Sequence, residues 1–171
     1  LFMVPFGISL AATVRVGHAV GRRDPAASRR AGFSAIGLSA AFMVAMTLVI
    51  IAFRDVIPLM FLGREGANLA ETAQLSAMLL LIGASFFVAD GVQGVAAGAL
   101  RGLNDTRMPM LFAAMSFWII GFTGSYGLAF RAGFGAAGVW IGFTLGVGTF
   151  AALLTWRFHW LTSRLYLPAV A

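Results

Sequence analysis

Of the six acidic residues in this sequence, Asp90 is the one placed where chemistry would need it. It is the single charge in the 29-residue stretch from Thr72 to Leu100, whereas the other five acids fall in loops or at helix ends. Arg101 follows eleven residues later. On a helix rising 1.5 Å per residue, Asp90 therefore lies about 16 Å inside an interface marked by Arg101, near the centre of a bilayer. Inserting a carboxylate there costs about 3 kcal/mol or more, so the group should face protein or water. Gln93, Gly94 and Ala97, at i+3, i+4 and i+7, share its helix face. Such a carboxyl can bind a proton, a Na⁺ ion or an organic cation; the structural alternative is a carboxyl hydrogen-bonded between helices. Phe86, Phe87, Phe117, Trp118 and Trp140 lie deeper than an interfacial aromatic belt. They can line an apolar cavity suited to lipophilic cations, or pack between helices. His18 and His159 read as solvated surface.

Catalytic sets are missing from the sequence. There is no HExxH, no GxSxG, no P-loop and no second intramembrane aspartate, which predicts neither an enzyme nor a cofactor. The absence of cysteine excludes disulfides and thiolate metal sites.

The elements that position Asp90 follow from the charge pattern. The chain has 171 residues, 60% hydrophobic and 11% charged, against about 25% charged in globular proteins. Charge-free windows run from Ala31 to Phe53, Met108 to Phe130 and Ala132 to Trp156, each longer than the ~20 apolar residues that a bilayer core requires. The predicted fold is an all-α, polytopic helical membrane protein, with a partial first helix plus four full transmembrane helices. The partial helix covers 1–14, a basic cytoplasmic loop 15–30, the spans 25–53, 73–100, 108–130 and 135–156, and a cytoplasmic tail 157–171. Asp24 before Pro25 predicts a helix cap, and Asp105 or Thr106 predicts another before Pro109. The break between the second and third helices carries Pro58, Gly63 and Gly66.

Arginine placement sets the orientation. Nine of the twelve arginines fall in alternate loops on one side, and only Arg54, Arg64 and Arg131 on the other. By the positive-inside rule the first side, with the carboxy terminus, is cytoplasmic. The net charge of +6 thus belongs to a membrane surface, with the lipid bilayer as partner and no nucleic acid. Gly94, Gly98 and Gly102 are spaced by four, as are Gly138, Gly142 and Gly146, the pattern of closely packed membrane helices. The chain opens at Leu1 inside an apolar run, which reads as a helix begun upstream.

Three stretches carry a family resemblance: Pro5 to Gly21, Asp90 to Pro109 with its DGVQGVAAGALRGLNDTR core, and Gly138 to Gly142. Together they resemble the multidrug and toxic compound extrusion family, most closely its bacterial branch. The resemblance implies twelve helices in two six-helix lobes, of which this chain would supply part of the eighth and the ninth to twelfth, leaving the amino-terminal lobe as a partner outside it. It further implies a cation-coupled antiporter of the bacterial inner membrane that exports organic cations against H⁺ or Na⁺. Asp90 matches the tenth-helix aspartate used in cation binding, and would be the metal contact if Na⁺ is the ion. The expected acidic partner on the seventh helix would lie upstream of Leu1. Phe86, Phe87 and Phe117 stand where relatives can carry Tyr, Gln and Tyr, so the lean is to protonation. A lipid-linked saccharide flippase of the same superfamily is one alternative, although no span contains a buried arginine; a non-transporting scaffold or inactive remnant is another.

Overall fold

The computed structural model describes residues 2–57 and 69–164, and among these every regular element is a helix. Five long helices follow in order: α1 (Met3–Gly21), α2 (Pro25–Phe53), α3 (Leu69–Gly102), α4 (Arg107–Arg131) and α5 (Gly135–Ser163). Each contains a stretch long and apolar enough to cross a membrane. Large apolar side chains such as Leu38, Leu48, Trp118 and Phe130 are exposed on the outside. Lipid, not water, is the solvent that makes such a surface stable.

Several boundaries differ from the sequence reading. α1 does not stop at Val14 but continues through Arg15 and His18 to Gly21, so the loop predicted over 15–30 shrinks to Arg22, Arg23 and Asp24. At 19 residues α1 is about 28 Å long. Charge did not end the helix because arginine stems can lie along apolar surface while their heads reach water. Tight closure comes from Arg23, which takes a left-handed φ of 54°, with the Asp24 amide donating to the Ala19 carbonyl at 3.0 Å. Asp24 then caps α2, its carboxylate accepting from the Ala27 amide at 2.8 Å, with Pro25 at the first helical position. The same device ends α3: Asn104 has φ 60° and the Asp105 amide reaches the Leu100 carbonyl at 3.0 Å. α5 runs past Trp156 to Ser163, so much of the predicted tail is helical. Residues 58–68, with Pro58, Gly63 and Gly66, and the tail residues 165–171 lie outside the described residues.

α3 is the central element, packing against α1, α2 and α5, while α4 lies against α5. The core is gathered toward the arginine-rich end, where Val16, Val95, Ala99, Leu100, Leu154 and Phe158 are fully enclosed. Small residues permit this density. A Cβ on Gly98 would overlap Ser9 of α1, and one on Gly102 would sit 2.8 Å from the Thr13 carbonyl oxygen. On α5, Gly138, Gly142 and Gly146 form a buried stripe against Ala129, Ser125 and Gly121 of α4. Gly94 is different, since a Cβ there would meet nothing.

α4 is not a uniform α-helix. It opens as one over Arg107–Ala114 and then widens into π-type turns over Met115–Phe122 and again over Gly127–Arg131. Bonds reaching five residues back put Ser116 and Gly121 on one face, and both meet Gly146. No local sequence signal marks this widening.

Candidate functional site

Asp90 sits in α3 with its carboxylate half-buried, and its partner is the residue that helical spacing nominated: Gln93 Nε2 donates to Asp90 Oδ1 at 2.7 Å. The other end of that amide, Gln93 Oε1, is buried with no hydrogen-bond partner among the described residues. A buried acceptor without a donor costs about 1–3 kcal/mol. The pair therefore places a carboxyl group beside an amide whose oxygen is left unsatisfied, within one helix.

Neighbouring helices define the surroundings. One residue beyond Asp90, the Gly91 carbonyl accepts from Ser39 Oγ of α2 at 3.0 Å, and Met43 fills the space a side chain on Gly91 would need. One turn beyond Asp90, the Gly94 carbonyl accepts from Ser9 Oγ of α1 at 2.8 Å, and a turn further the Gly98 carbonyl accepts from Thr13 Oγ1 at 2.9 Å. One turn before Asp90, Phe86 stacks on Trp140 of α5 at 6.0 Å and meets Phe143 edge-on at 5.5 Å. At 100° per residue, Asp90 thus lies on the seam of α3 between the face that meets α1 and the face that meets α5.

The fold and these distances stand beside a family match: a model of the MatE family matches residues 1–126. The chain belongs to the MatE family. MatE proteins are transporters, not enzymes. Among curated relatives, a probable multidrug resistance protein NorM of Rhodopseudomonas palustris is 58% identical over the whole chain, which covers 36% of that relative. Another from Bradyrhizobium diazoefficiens is 53% identical over 96% of this chain and 35% of its own length. The chain thus spans about a third of the relatives it matches. Among solved structures, the eukaryotic MATE transporter AtDTX14 superposes with a TM-score of 0.80 at 18% identity, over 95% of this chain and 36% of that one. An inward-facing multidrug resistance MATE family transporter superposes at 0.73 and 16% identity, over 96% and 38%. At such identities these two comparisons speak for the MatE fold alone.

The six residues nominated beside Asp90 divide within this MatE chain. Gln93 joins Asp90 directly, and Phe86 joins both Phe87, at 5.4 Å, and the Trp140–Phe143 cluster. Phe117 meets that cluster through Phe143 at 6.4 Å. Trp118 points outward, 71% exposed, against Phe122. Phe117, Trp118 and Trp140 edge an apolar groove of about 630 Å³ between α4 and α5, whose lining includes neither Asp90 nor Gln93. Among the described residues no group of three His, Cys, Asp or Glu could hold a metal ion.

Sequence reasoning missed the hydroxyls that surround the aspartate helix. Ser9, Thr13 and Ser39 each donate to a glycine carbonyl of α3. The signal was faint but present, since glycine exposes its carbonyl and small hydroxyl residues spaced by four on α1 match the glycine spacing on α3. Asp105, expected as a helix cap, binds Arg157 Nε at 2.9 Å instead; Thr106 occupies the cap position without a side-chain hydrogen bond.

Proposed function

We propose that this chain forms part of a multidrug efflux antiporter of the bacterial inner membrane, exporting organic cations, and that Asp90 is its coupling-ion site. The observation that carries this reading is the Asp90–Gln93 pair inside a membrane helix, with the carboxylate held by a neutral amide and Gln93 Oε1 left without a donor. An acid with no cationic partner among the described residues has a use for a mobile one. NorM relatives named as multidrug resistance proteins support efflux as the activity.

The coupling ion is H⁺ or Na⁺. Phe86, one turn before Asp90, and Phe87 and Phe117 in the same aromatic cluster bring rings and no side-chain oxygen, which supports a proton. Transport then runs as competition. Loss of the ion leaves a charged carboxylate that draws in an organic cation, and rebinding of the ion from the other side releases it. The two states exchange populations only to the extent that ion and substrate bind them differently. The face carrying nine arginines is assigned to the cytoplasm, which puts uptake on that side.

Efflux by the whole protein in proteoliposomes, driven separately by a proton gradient and by a Na⁺ gradient, tests the reading. Asp90→Asn should abolish the response to whichever gradient drives the parent. Efflux at the parent rate with Asn at this position would remove Asp90 from the coupling step.

A further inference from the structure

A second recess, whose lining does not include Asp90, lies between α1 and α2 at the arginine-rich end. Its volume is about 700 Å³. Both walls are continuous helical stripes. On α1, Ile8 and Ala11 lead to Arg15 and His18, with Arg22 just beyond the helix end. On α2, Leu38 and Ala35 lead back through Ser34 to Arg30. The recess therefore has a graded chemistry: basic from the loop end, where α1 ends and α2 begins, as far as Arg15, and apolar over the roughly 10 Å of helix between Arg15 and Ile8. No acidic residue lines it, and none of its three arginines is ion-paired among the described residues. Asp24, the nearest acid in sequence, is engaged in capping α2. Arg29 is turned away onto Phe33, at 5.7 Å from the ring centre.

We propose that this recess is a binding site for an anionic phospholipid of the leaflet on the arginine-rich side. The phosphate would lie among Arg15, Arg22 and Arg30, and an acyl chain along the alanine floor toward Ile8 and Leu38. Three uncompensated guanidinium groups at the mouth select a phosphate, and an apolar trough in line with the membrane normal selects the chains of a lipid over a soluble phosphate. The alanines matter because larger side chains would fill the trough. Leu38, exposed at its deep end, supplies the surface that an acyl chain would cover.

Native mass spectrometry of the whole protein, released from bilayers of phosphatidylglycerol or of phosphatidylcholine, tests the site. Phosphatidylglycerol should be retained and phosphatidylcholine should not. Retention should fall about fivefold for each of Arg15→Ala and Arg30→Ala, the effect expected of one basic side chain at an anionic surface. Arg131→Ala, at the opposite end of the helices, should leave it unchanged. Ser34→Trp, which obstructs the trough and keeps every basic group, should also displace the lipid. Equal retention of the two lipids, or retention unmoved by Arg15→Ala, Arg30→Ala and Ser34→Trp in protein of parental thermal stability, would overturn the proposal.

Discussion

Asp90 and Asp105 stand fifteen residues apart, on α3 and on the turn that leaves it, and they are held in opposite ways. Asp105 receives a charge from another helix. Arg157 of α5 donates Nε to it at 2.9 Å, with side-chain exposures of only 21% and 13% for Arg157 and Asp105, and the guanidinium lies 5.0 Å from the Trp160 ring centre. Among the described residues, Asp90 receives only a neutral amide from its own helix. The first arrangement neutralises a carboxylate and ties the α3–α4 turn to α5. The second leaves the carboxyl group without a charged partner among the described residues. Comparing them separates a carboxylate that serves the fold from the one proposed to hold a mobile cation.

Four measurements would break or sharpen that contrast. Asp90→Asn should cut gradient-driven efflux by at least about tenfold, the scale of a lost coupling between two bound species, while thermal unfolding in detergent stays near that of the parent. A large loss of stability would instead make Asp90 another structural acid. Asp105→Asn should do the reverse, lowering stability by about 2 kcal/mol, because a partly buried Arg157 loses its charge partner. Adding Arg157→Gln should restore part of that loss, and denaturation of the two single variants and the double variant provides the cycle. Gln93→Leu removes the donor to Asp90 together with the orphaned oxygen, and should change the ion concentration for half-maximal efflux about threefold, the effect of one hydrogen bond to a charged group partly offset by relief of the unsatisfied acceptor. The smallest effect belongs to Asp55, whose contact with Arg54 at 3.5 Å lies at exposed side chains. Asp55→Ala should move the unfolding free energy by less than about 0.5 kcal/mol, and a larger change would show that exposure misjudges this pair.

Legibility in the sequence tracks how local each feature is. The helices, the depth of Asp90 and its pairing with Gln93 all follow from spacing within one segment. So does the Asp24 cap, which involves residues three apart. Helix ends were harder. Arg15 looks like the start of a loop by charge, yet α1 carries it on its surface for two further turns. Grouping of the aromatics depended on packing between helices, which is why Trp140 meets Phe86 while Trp118, in an equally deep position along the sequence, faces outward. Glycine spacing marked the contact faces but not the individual contacts, since Gly98 is pressed against α1 and Gly94 contributes only its carbonyl.

By itself, the sequence determined that this chain is a set of membrane helices with one acid inside, because hydropathy and charge act residue by residue along each helix. Only the tertiary structure decided which acid is neutralised. Asp105 and Arg157 are 52 residues apart, and nothing short of docking α5 against the α3 turn could join them. The basic trough between α1 and α2 was decided in the same way. Each of its walls is an ordinary stripe on one helix, and it encloses space only because Arg23 and Asp24 turn the chain tightly enough to set the two stripes face to face.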